Sequence, residues 1–91
     1  GTTHVKDIKE ISADFKEGEK LSFLREDDNP HDENAIIVKN KDGRKIGYVP
    51  MKNNEILARL MDAGKLVYGV FKEKELAGNW LKINMQVFLD D

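Results

Sequence analysis

The stretch from Leu24 to Pro50 constrains this chain most. Two apolar runs, Ala-Ile-Ile-Val-Lys at 35–39 and Lys-Ile-Gly-Tyr-Val at 45–49, flank a polar turn that closes on Asp42-Gly43. Asp-Gly between such runs is a hairpin signal, because both residues tolerate the left-handed backbone of a tight turn. Gly47 inside the second run predicts a bulge or a close backbone approach, and Pro50, with no N–H to give a ladder, ends it. In front of the hairpin lies a dense polar loop, Glu26 to Asn34, with Glu26, Asp27 and Asp28 ahead of Asn29-Pro30-His31-Asp32-Glu33-Asn34. Such a loop is too polar to bury, and a polar loop carried on rigid strands is where binding chemistry concentrates. Pro30 fixes its own φ and pushes Asn29 toward extended backbone, so His31 and Asp32 leave a stiffened corner.

The rest of the chain supplies further strands and one helix. Thr3 to about Ser12 reads as a strand, although Val5, Ile8 and Ile11 also fit one face of a helix. Residues 15–18 form a turn closing on Gly18. Leu21 and Phe23 alternate with Lys20 and Ser22, which predicts a half-buried strand over Lys20 to Arg25. After Pro50, Asn53 or Asn54 is positioned to cap a helix, with Glu55 adding negative charge near its start. Ile56, Leu57, Leu60 and Met61 form its apolar stripe, and Gly64 stands where a helix ends in a left-handed residue. Leu66 to Glu73 reads as a strand buried on more than one side, and 77–79 as a turn. Trp80 to Leu89 alternates clearly: Leu81, Ile83, Met85, Val87 and Leu89 share one side, and Trp80 and Phe88 fall with Lys82, Asn84 and Gln86 on the other. Short strands with turn signals at close spacing predict a small barrel; the pattern alone leaves OB-like and SH3-like barrels open.

Composition narrows the function. The 91 residues, without repeat or linker, are read as one domain spanning 1–91. There is no cysteine, so disulfides, thiolate catalysis and thiolate metal sites are excluded; a reducing, cytoplasmic setting is expected. No apolar run approaches the ~20 residues of a membrane span, no leader pattern is read at the N-terminus, and no membrane partner is expected. The net charge of −2 argues against a broad sequence-independent polyanion binder, but a small site touching one or two phosphates remains compatible with it. Charge is uneven: the acidic 26–33 segment precedes a basic one holding Lys39, Lys41, Arg44, Lys45 and Lys52.

Several chemistries can be weighed against a purely structural use of the same residues. His31 beside Asp32 resembles a base and its orienting acid, but neighbours on extended backbone point to opposite sides, so no catalytic pair is expected. The acidic loop lacks the spacing and glycine of a calcium-binding loop, and the chain's two histidines, His4 and His31, fall in separate segments; no metal or other cofactor is expected. Asp32 and Asn34 either bond loop amides or meet a ligand. Tyr48, Tyr68, Phe71, Trp80 and Phe88 are either core or stacking surfaces for bases, with Trp80 and Phe88 the better candidates for exposure. Arg25 either meets phosphate or pairs with Glu26 or Asp28.

Arg25, the motif Asn29-Pro30-His31-Asp32-x-Asn34-Ala35-Ile36-x-Val38, and Gly43-x-x-Ile46-Gly47-Tyr48-Val49-Pro50 together resemble the HIRAN domain signature. The strong match covers about a third of the chain, and the order of elements extends it. The resemblance implies a mostly β fold, an OB-like barrel with one main helix inserted after the fourth strand. It also implies a reader of single-stranded DNA that captures a free 3′ end and carries no catalysis of its own. By resemblance, Asp32 receives the terminal hydroxyl, His31 takes the place of a stacking tyrosine, Asn29 contacts phosphate and Tyr48 is a contact residue. Met51 falls where a basic residue is common, and the adjacent Lys52 supplies that charge. The family's aromatic and basic pair in the first strand is absent, since Val5 to Lys9 offers only lysines.

The expected function is therefore a DNA-end binding module using Arg25, Asn29, His31, Asp32, Tyr48 and Lys52, an accessory of a helicase or nuclease in processes such as DNA repair. The alternative is a protein-interaction or regulatory module on the same fold that does not read DNA.

Overall fold

A computed structural model describes residues 2–3, 16–77 and 80–90. The strands are β1 (Thr2–Thr3), β2 (Lys20–Arg25), β3 (Ile36–Lys39), β4 (Lys45–Tyr48), β5 (Leu66–Ala77) and β6 (Trp80–Asp90), with one helix, α1 (Met51–Asp62), between β4 and β5. They form one sheet in the order β1-β6-β5-β2-β3-β4, with every neighbouring pair antiparallel. Of the strand expected over Thr3 to Ser12, residues 4–12 lie outside the described residues.

The end strands of this order, β1 and β4, approach within 8 Å between Cα atoms, but no ladder joins them among the described residues. Among the described residues the sheet is therefore not closed by hydrogen bonds, and the expected barrel is present there as an antiparallel sheet with one helix after the fourth strand. Gly47 does mark an irregularity: opposite β3, the register moves from Val38↔Gly47 to Lys39↔Lys45, so Ile46 is the extra residue of a bulge. The Asp42-Gly43 turn forms with Gly43 at φ +81°, and Asn40 Oδ1 accepts from the Asp42 and Arg44 amides.

Leu21, Ile36 and Ile46 are fully buried at the centre, joined by Val38, Val49, Ala58, Phe71 and Ile83. Each of these side chains larger than Ala58 contributes about 1.5–3 kcal/mol through removal from water. Gly69 fits this packing closely: a Cβ there would lie 2.9 Å from Met85 Sδ and 3.2 Å from Phe23 Cζ, so those side chains would have to shift.

The helix begins earlier than its capping residues predict. Pro50 stands at the N-cap with φ −55° and ψ 138°, and the Asn53 amide donates to the Pro50 carbonyl at 2.9 Å. Proline's fixed φ suits a helix entrance, and its missing N–H has no partner to lose there. The inward face keeps Leu57 and Met61 of the expected stripe but is rotated away from Ile56 toward Asn54 and Ala58. Asn54 and Ala58 are buried and Leu57 and Met61 pack against the core, whereas Ile56 is 71% exposed. At the other end the Gly64 and Lys65 amides donate to the Met61 and Leu60 carbonyls, with Gly64 at φ +91°. That is a Schellman closure, in which a left-handed glycine lets the chain turn back over the last helical carbonyls.

The alternation in β6 holds only in its first half. Ile83 is 6% exposed, but Val87 and Leu89 on the same side are 41% and 45% exposed. Phe88 is exposed as expected and stacks on Tyr68 across the β5–β6 ladder, with ring centroids 5.6 Å apart. Lys20 Nζ lies 4.5 Å from the Tyr68 ring centroid. The Trp80 side chain lies outside what is described.

Candidate nucleic-acid interface

The polar loop folds into consecutive side-chain-to-backbone turns. Asn29 Oδ1 accepts from the His31 amide at 2.8 Å and the Asp32 amide at 3.1 Å. Asp32 Oδ1 then accepts from the Asn34 amide at 2.9 Å. Short polar side chains bond their own backbone two or three residues on, which is how a loop without ladder partners satisfies its amides. The corner around Pro30 is thereby held from both sides.

Four side chains outside that run complete it. Glu26 Oε1 accepts from Asn29 Nδ2 at 2.7 Å and from the Tyr48 hydroxyl at 2.8 Å. These bonds, the Asn29 one foremost, and the nearby Lys45 ammonium hold the Glu26 carboxyl below its ordinary value of 4.5, against a smaller opposing effect of burial. Lys45 Nζ donates to the Tyr48 hydroxyl at 2.9 Å and lies 4.4 Å from its ring centroid. Asn54, only 3% exposed, donates from Nδ2 to Asp32 Oδ2 at 2.7 Å. A buried amide must find partners, and the carboxylate of Asp32 supplies one for Asn54.

Of the residues singled out by sequence, Asn29, His31, Asp32 and Tyr48 are brought together, the first three through Asn29 Oδ1 and Tyr48 through Glu26. His31 presents an exposed side chain at the corner, Tyr48 is half-buried, and Lys52 is exposed on the first turn of α1. Arg25 is used differently. Its guanidinium donates to the Ala35 carbonyl at 2.6 Å and the Glu33 carbonyl at 2.9 Å, and it pairs with Asp62 at 3.0 Å. The expected ion-pair partners, Glu26 and Asp28, are thus replaced by Asp62 at the end of α1, 37 residues away. The β2 strand faces Arg25 toward the helix, a direction that residue spacing along the loop does not reveal.

Sequence reasoning missed Glu26, Lys45 and Asn54 as members of this network. Asn54 had a signal: it stands three and four residues before Leu57 and Ala58, on the face that packs inward.

Among the described residues each oxygen of Asp32 accepts one hydrogen bond, and a carboxylate oxygen has room for about two. The group is half-buried, oriented on both sides, and retains acceptor capacity. That arrangement suits reception of a hydroxyl donor, and it repels a phosphate monoester through like charge.

Comparison with known proteins agrees with the fold. The HIRAN domain profile matches residues 1–90. The chain belongs to the HIRAN domain family. A crystal structure of a protein from Lactobacillus plantarum superposes with a TM-score of 0.79 at 30% identity, covering 96% of this chain and 84% of that one. The crystal structure of the HIRAN domain of human HLTF superposes with a TM-score of 0.60 at 26% identity, covering 78% of this chain and 61% of that one. The helicase-like transcription factor of Oryctolagus cuniculus is 34% identical over 59 residues, 65% of this chain. The match spans 6% of the length of that relative.

Proposed function

We propose that this chain is a nucleic-acid-binding module that receives the free 3′ end of single-stranded DNA at the Asn29–Asp32 corner, with the chemistry of any associated helicase or nuclease residing elsewhere. The observation that carries this reading is the held carboxylate of Asp32, with remaining acceptor capacity beside the exposed His31 ring. In this reading Asp32 accepts the terminal hydroxyl, His31 and Tyr48 offer ring surface to the last bases, and Asn29 and Lys52 lie along the phosphates. Stacking contributes about 1–3 kcal/mol per base without sequence preference. The approach of β1 to β4 supports reading the sheet as an OB-like barrel, a scaffold suited to single strands. The relationship to a protein named as helicase-like motivates an accessory role beside such an enzyme.

Fluorescence anisotropy with short single strands ending in a 3′-hydroxyl or a 3′-phosphate tests the proposal. Binding is expected for the hydroxyl form and weakened by the terminal phosphate. Asp32→Ala is expected to erase the difference. Salt dependence is expected to be shallow, because few phosphates are engaged. Equal binding of both ends sinks the end-reading role.

A second reading has its own support in Arg25. Its donors are engaged with Glu33, Ala35 and Asp62, which leaves the phosphate-binding role to Lys52 among the cations expected to fill it. A protein-interaction or regulatory module that does not read DNA accommodates that use. Absence of strand binding at low salt favours it.

A further inference from the structure

We propose that the outer face of β2, β3 and β4, with Tyr68 of β5, carries the part of a single strand lying 5′ of the end held at the Asn29–Asp32 corner; the inference rests on that corner being the end-binding site. The ladders define the face. Paired residues of an antiparallel sheet share a side, and neighbours along a strand alternate. Leu21 is fully buried, so Ser22 and Leu24 point away from the core, and their partners with them. Ser22 pairs with Lys39 on one side and Tyr68 on the other. Leu24 pairs with Ile37, and Ile37 with Tyr48. Two adjacent rows result, one from Lys39 to Tyr68 and one from Tyr48 to Leu24.

The chemistry of these rows is one-sided. Lys20 Nζ lies over the Tyr68 ring and Lys45 Nζ over the Tyr48 ring, at 4.5 and 4.4 Å from the centroids. Leu24 adds an apolar side chain that is 48% exposed. β2, β3 and β4 contain no acidic residue, although the chain carries a net charge of −2. The acids flanking them, Glu19, Glu26 and Asp42, stand in loops, and Glu26 is already bonded by Asn29 and Tyr48. Rings with cations beside them, on strands without anions, are what a single strand needs: bases stack and lysines meet phosphates.

The ladders also argue against an extended peptide as the occupant. β2 and β3 are each paired on both sides, so this face offers side chains and no unpaired main-chain row for strand addition. Tyr48 makes the face continuous with the corner, since its hydroxyl donates to the Glu26 oxygen that also holds Asn29. From β4 to β5 is three strand spacings, about 14 Å. Only a strand that extends well past its terminal nucleotides reaches Tyr68 and Lys20.

Fluorescence anisotropy of the full chain with oligothymidylates of about 3 and about 12 nucleotides, each ending in a 3′-hydroxyl, tests the path. A strand has one 3′ end whatever its length, so added length adds no further end sites. The longer strand is expected to bind at least about fivefold tighter, the value of one stacked base. Its logarithmic salt slope is expected to be steeper by about 0.7 for each lysine engaged. The double variant Lys20→Gln, Lys39→Gln and, separately, Leu24→Glu are expected to lose the length gain with the circular dichroism of the parent. Both are expected to keep the affinity for the short strand and its preference for a 3′-hydroxyl over a 3′-phosphate. Equal affinity for the two lengths overturns the proposal, as does a gain that survives both variants or a loss that falls equally on the short strand. An end preference without a length gain overturns this path alone. A length gain that the variants erase but that ignores the end group upholds the face and removes the corner. Absence of all strand binding by the parent overturns both.

Discussion

Asn54 Nδ2 donates to Asp32 Oδ2 at 2.7 Å, joining the first half of α1 to the apex of the polar loop. The donor is buried and the acceptor half-buried, so neither group is freely exchanged for water. Asn54→Ala is expected to cost about 1–3 kcal/mol, because the carboxylate loses a partner and the helix face gains a void. Asn54→Asp, which sets two carboxylates together, is expected to cost more. Urea unfolding of both variants checks the order. If both unfold with the parent midpoint, the bond contributes nothing to the fold.

Arg25 and Asp62 are expected to behave unequally. Asp62→Ala removes an ion-pair partner that is 59% exposed, an interaction worth about 0–1 kcal/mol. Arg25→Ala also removes the donor to the Glu33 carbonyl and one of two donors to the Ala35 carbonyl, the Glu26 amide remaining, and an expected loss of about 2 kcal/mol follows. Thermal unfolding separates the two. Equal losses would place the value of Arg25 in the ion pair rather than in the loop.

Glu26 links stability to pH. Its folded-state carboxyl is held below the ordinary value of 4.5. A depressed carboxyl contributes stability above its unfolded value and loses it as pH falls through the folded one. The parent is therefore expected to lose more stability than Glu26→Gln between neutral pH and the acid side of 4.5. Parallel melting-temperature profiles for the two proteins would contradict the assignment.

Gly64 and Gly69 are both expected to resist alanine, for different reasons. Gly64 has open space around its missing side chain but a φ of +91°, so Gly64→Ala is expected to cost about 1 kcal/mol through backbone strain alone. Gly69→Ala meets Met85 and Phe23, and about 1–3 kcal/mol is expected from overpacking. Shortening the obstacle separates the mechanisms: Met85→Ala is expected to relieve part of the Gly69→Ala defect and none of the Gly64→Ala defect. A double-mutant cycle with no coupling at Gly69 would remove the steric explanation.

Much of the strand order was legible because it rests on local signals. Asp42-Gly43 and Gly47 announced the hairpin and its bulge, and Leu21 and Phe23 announced the alternation of β2. The helix was legible as a helix but not in its rotation. Ile56 outweighs Asn54 and Ala58 in any apolar pattern, yet the latter pair is buried, with Asn54 bonded to Asp32 and Ala58 in the core. The candidate site divided in the same way. Asn29, His31 and Asp32 stand together in sequence, so their grouping could be seen. Tyr48, by way of Glu26, and Asn54 join them through contacts spanning 22 residues, and residue spacing carries no information about such distances. Leu89 was expected inward because alternation reports the face of a strand, and it does not report where the material covering that face ends.

The polar loop is strapped to a single helix at both ends, by Asn54 near the start of α1 and by Arg25 to Asp62 at its finish. Its conformational freedom is therefore surrendered when the protein folds and not when something arrives. A visitor at the corner would meet a surface already set. Its capture should proceed without the large heat-capacity change that accompanies coupled ordering, at a rate governed by encounter and orientation.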